Sequence, residues 1–78
     1  MRHVLVLNGP NLNRLGTREP DIYGTLTLSD IAEACTREAQ SLGVTCEVLQ
    51  TADEAELIGW LHRAQDEGAG VVINPAAF

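Results

Sequence analysis

Seventy-eight residues, 45% of them apolar and 21% charged, allow one small domain, and a chain this short buries only about 60–65% of the surface its unfolded form exposes. A net charge of −6 and a pI near 4.6 argue against nucleic acid, whose phosphates need a clustered positive field, and point to small molecules or other subunits as partners. No apolar run reaches the roughly 18 residues of a membrane span, and the short run after Arg2 ends in NGPN without a small-residue cleavage site, so the cytoplasm is the expected location.

Val4-Leu5-Val6-Leu7 is a continuous apolar run of the kind a strand buried on both faces shows. The stretch that follows, LNGPNLNRLGTREPDIYG over residues 7–24, belongs to neither helix nor strand and is several times the usual strand-to-helix connection. It keeps Leu7, Leu12, Leu15, Ile22 and Tyr23 as apolar anchors, more than a flexible linker would. Such a segment is expected to be functional.

Thr27 and Asp30 then stand in capping-box spacing. Leu28, Ile31, Ala32, Cys35, Ala39 and Leu42 follow at helical intervals, and Gly43 is the stop. Residues 44–49 (VTCEVL) read as a second strand. Asp53 caps a second helix carrying Ala55, Leu57, Ile58, Trp60, Leu61 and Ala64, which ends before Gly68. Gly70-Val71-Val72-Ile73-Asn74 is the third strand. Strands alternating with helices imply an α/β fold with a parallel sheet and right-handed crossovers.

The expected spatial order is 2-1-3, the start of a flavodoxin-like sheet, with one helix on each face. Ligands of such sheets bind beyond the carboxyl ends of the strands where the order reverses, here between the first and third strands. Residues 8–11 and Asn74 should therefore converge. The third strand should be an apolar edge, and the 78 residues look like the front half of a domain.

All five basic residues are arginine (Arg2, Arg14, Arg18, Arg37 and Arg63), so no lysine is available for a Schiff base. A guanidinium near a phenol favours the phenolate, and Arg18 and Tyr23 lie close enough in sequence for Tyr23 to serve as an activated general base. Asn11 could hold a water or polarise developing oxyanion charge, and Asn74 could read substrate hydroxyls. Residue by residue the plainer reading competes: a packed tyrosine, solvated arginines, asparagines doing turn chemistry. Convergence on the site that topology selects is what favours function. His3 and His62 read as packing or surface residues, and Trp60 as core or subunit contact. Asp53, Glu54 and Glu56 read as helix N-terminal charge, with no metal site implied. Cys35 and Cys46 read as reduced thiols.

The stretch LNGPNLNRLGTREPDIYG, with TLTLSDI, IGWLHRA and VVINPAAF behind it, closely resembles the signature of type II 3-dehydroquinate dehydratases along the whole chain. The resemblance implies a flavodoxin-like fold and dehydration of 3-dehydroquinate to 3-dehydroshikimate in the shikimate pathway, without metal, cofactor or Schiff base. It matches Tyr23 to the base that takes a proton alpha to the ketone. It matches Arg18 to the loop arginine that lowers the pKa of that base, Asn11 to a residue holding the enolate-stabilising water, and Asn74 to a substrate-hydroxyl ligand. The long segment then corresponds to an active-site lid. The resemblance also implies a dodecamer built from trimers. It places the general-acid histidine beyond Phe78, in a part of the pattern that His62 cannot replace. Residues 1–78 alone are accordingly expected to be inactive and to be partly disordered or associated through the third strand. A non-catalytic remnant and a module binding hydroxy acids or nucleotides are the alternatives. The nucleotide variant is the weaker, because Pro10 and Pro20 lack the backbone donors that a phosphate-cradling loop needs.

Overall fold

A computed structural model describes residues 2–12 and 26–78. Its elements are β1 (His3–Asn8), α1 (Leu28–Leu42), β2 (Thr45–Gln50), α2 (Glu54–Glu67) and β3 (Gly70–Asn74). The three strands form a parallel sheet in the order β2-β1-β3. The flavodoxin-like arrangement expected from the sequence is therefore the one found. Strand two begins and ends one residue later than its β-branched run suggests, because Thr45, not Val44, makes the first pair with β1.

Both helices start and stop on local chemistry. Thr27 accepts a hydrogen bond from the Asp30 amide while the Asp30 carboxylate accepts one from the Thr27 amide, closing the capping box. Asp53 accepts from the Ala55 and Glu56 amides at the head of α2. Each helix ends where Gly43 (φ 72°) or Gly68 (φ 66°) turns left-handed and sends its amide back to the last turn.

Alternation along β1 assigns the helices to opposite faces. Leu5 and Leu7, each 0% exposed, pack with Leu57 and Ala64 of α2, and Leu49, Trp60 and Ala69 close around them. Val4 and Val6 turn to the other face, where with Ala39, Cys46 and Val72 they line a cavity beside α1. That face is less covered. Of the helical stripe read from the sequence only Ala39 is buried, and Leu42 is 68% exposed. The stripe is apolar along its length, but a three-stranded sheet gives it little to cover it. Val71, Val72 and Ile73 of β3 are likewise exposed.

Cys35 and Cys46 are free thiols lining that cavity, and burial, then the neighbouring Cys35, pushes the Cys46 thiol up from its ordinary value. No described helix is long and apolar enough to cross a membrane.

At the amino ends of the strands a polar cluster fastens β1, β2 and α2 together. His3 Nδ1 lies 2.6 Å from Thr45 Oγ1 and His3 Nε2 3.5 Å from Glu47 Oε2. Arg63 of α2 donates to both Glu47 oxygens and also to Glu67. The Arg63 guanidinium, and secondarily His3, hold the Glu47 carboxyl below its ordinary value of 4.5. A carboxylate lowered in the folded state contributes stability that is complete above the unfolded value and is lost as pH falls through the native one. Thermal unfolding followed from pH 7 downward should therefore show the midpoint falling below about pH 4.5, and Glu47→Gln should flatten part of that fall. The effect is modest because the pair is solvent-screened, and superimposable curves would remove Glu47 from this role.

Candidate functional site

Parallel register brings three carboxamides into one row at the carboxyl end of the sheet: Gln50 of β2, Asn8 of β1 and Asn74 of β3. Each is spent on backbone. Asn8 Nδ2 donates to Leu49 O at 3.0 Å, Gln50 Nε2 to Gly9 O at 3.2 Å, and Asn74 Oδ1 accepts from the Ala76 amide at 3.3 Å. With its oxygen so engaged, the end of Asn74 best placed to meet a ligand hydroxyl is the NH2.

Where β1 ends, the chain comes unusually close to β3. The Gly9 amide donates to Asn74 O at 2.9 Å, and a Cβ built on Gly9 would stand 2.2 Å from the Pro75 carbonyl oxygen. Only a residue without a side chain fits. Pro10 and Asn11 then turn the chain, with Asn11 at φ 69°, a left-handed conformation asparagine tolerates and the residue order of a type II turn. Across the crevice Ala76 is also left-handed, at φ 50°, and the Phe78 amide closes a turn on Pro75 O.

The plain reading of the asparagines as turn residues holds for both. The backbone of Asn11 and the oxygen of Asn74 make turns, and both residues are exposed near the carboxyl ends of β1 and β3. Arg14, Arg18 and Tyr23 lie outside the described residues. Gln50 is the residue the sequence reading missed. Its signal was the parallel register itself, which aligns the last residue of β2 with Asn8.

The arrangement gathers neutral carboxamides whose state does not change with pH. Among the described residues no three His, Cys, Asp or Glu side chains converge as a metal site. Gly9→Ala should lower the thermal midpoint markedly and break the Gly9–Asn74 bond, because the obstructing atom is backbone. A variant with native stability and native amide exchange at residue 9 would contradict the close approach.

Known proteins share this fold. A sequence profile described as Dehydroquinase class II matches residues 2–78. A 3-dehydroquinate dehydratase of Salinispora arenicola is 59% identical over 75 residues, covering 96% of this chain and 52% of its own. The 3-dehydroquinate dehydratase 2 of Pseudomonas aeruginosa is 53% identical over 77 residues, covering 99% and 52%. The crystal structure of a type II dehydroquinase from Propionibacterium acnes superposes with a TM-score of 0.91 at 52% identity, over 99% of this chain and 53% of that one. The chain spans about half the length of the relatives it matches.

Proposed function

The chain belongs to the class II dehydroquinase family, and on that footing we propose that residues 1–78 form the N-terminal half of a single flavodoxin-like domain that dehydrates 3-dehydroquinate to 3-dehydroshikimate. The observation that carries the reading is the joining of the β1 and β3 carboxyl ends by the Gly9–Asn74 backbone bond, with Asn11 two residues further along the chain. In this reading Tyr23 removes the proton alpha to the ketone and an enolate forms. The enolate then collapses with loss of the β-hydroxyl, which leaves as water after taking a proton from a general acid. Proton and hydroxyl depart from adjacent carbons, so the sum is elimination of one water.

Each residue has a distinct task. Arg18 keeps Tyr23 in its phenolate form by placing a positive charge beside it. Asn11 supports the water that carries the enolate charge, and preorganised neutral donors are effective there because they need no reorganisation as the charge develops. Asn74 orients the substrate through a hydroxyl. No cofactor enters the scheme. The same reading extends to a cytoplasmic homo-oligomer, a dodecamer built from trimers, which sedimentation of the whole protein tests.

In the whole protein, Tyr23→Phe should lower turnover by about 10²–10⁴-fold while ligand affinity stays largely intact, because only the hydroxyl is lost. The readout is enone absorbance with 3-dehydroquinate, and near-native turnover would remove Tyr23 from the role of base. Arg18→Ala should do comparable damage and move the rise of activity to higher pH, since the phenol loses its cationic neighbour. An unshifted pH profile would count against that assignment.

A further inference from the structure

We propose that Gln50 is a positioning residue of this site, acting through the Gly9 peptide to fix where Asn11 stands against the end of β3. The consequence for turnover rests on the dehydratase reading above; the geometry of the clamp does not.

Gly9 is held from both neighbouring strands at once. Its amide donates to the Asn74 carbonyl of β3, and its carbonyl accepts from Gln50 Nε2 at the end of β2. The two bonds act from opposite sides. Toward β3 the approach is already at its limit, with the Pro75 carbonyl occupying the space a Cβ would need. Away from β3 the restraint is the Gln50 side chain, half-buried and anchored on a strand in register with Asn8.

Asn11 follows two residues later, and Pro10 between them has no N–H to contribute a further anchor. Pro10 also fixes its own φ, which removes one torsion through which Asn11 could move independently of Gly9. A shift at the Gly9 carbonyl therefore becomes a shift of the Asn11 carboxamide relative to Asn74. Small misplacements of groups that orient a reacting substrate are costly in rate. Gln50 touches no substrate in this account. It is neutral, and its only task is to hold one carbonyl.

The test uses the whole protein with Gln50→Met, which keeps the length of the side chain and removes the donor. Gln50→Glu is the second variant, presenting an acceptor to the Gly9 carbonyl. Both should lower kcat about tenfold with KM nearly unchanged, the signature of lost positioning rather than lost binding. Neither should lower kcat further in an Asn11→Ala background, because the effect passes through Asn11. Unchanged kcat in both variants, or losses that multiply in the double variants, would overturn the proposal. If the unsubstituted protein turns over no 3-dehydroquinate, the functional reading fails by itself, and hydrogen exchange at the Gly9 amide decides the clamp. Exchange there should quicken at least about tenfold in Gln50→Met, and unchanged exchange would overturn it.

Discussion

Parallel pairing of β1 with strands on both sides is the constraint from which the remaining geometry follows. Parallel neighbours cannot be joined by tight turns, so each connection must cross the sheet, and α1 and α2 are those crossings. Burial on two faces makes β1 apolar at every position from Val4 to Leu7. Parallel direction also brings all three strand ends to one edge. The amides of Asn8, Gln50 and Asn74 meet there for no reason local to any of them.

The two faces of the sheet are unequal in a way that bears on where specificity can reside. On the α2 side Leu5, Leu7 and Leu57 leave almost no exposed surface, and the Arg63–Glu47–His3 cluster binds the amino ends of β1 and β2 to the helix. That side is the better packed of the two. The crevice stands at the opposite end of the strands, where backbone bonds from Gly9 and Thr51 set the positions of the loops. Rigid strands carrying functional loops at their carboxyl ends is the division of labour expected of open parallel sheets.

Much of this could be read in the sequence because its causes are local. Capping chemistry at Thr27 and Asp53, helical spacing in between, and glycines at residues 43 and 68 fixed both helices in advance. The approach of the β1 and β3 carboxyl ends was also legible, since strand order alone implies it. What escaped were side chains whose partners lie far along the chain. Gln50 reaching Gly9 and Arg63 reaching Glu47 depend on register and on helix rotation, which no local pattern encodes. The exposure of Leu42 escaped for a related reason: periodicity shows which face of a helix is apolar, not how much surface is available to cover it.

The register has a temporal side as well. His3 pairs with Thr45, and Asn8 with both Gln50 and Asn74, so every strand contact of β1 is long-range in sequence. Of these three strands β1 is made first, yet it has no partner among them until β2 emerges and none on its other side until β3 does. The Gly9 amide waits longest, for a carbonyl near the end of these residues. Within these residues the crevice begins with β1 and closes only with β3. Helices α1 and α2, whose caps are complete within a few residues, can form earlier and shorten the search for those distant strand partners.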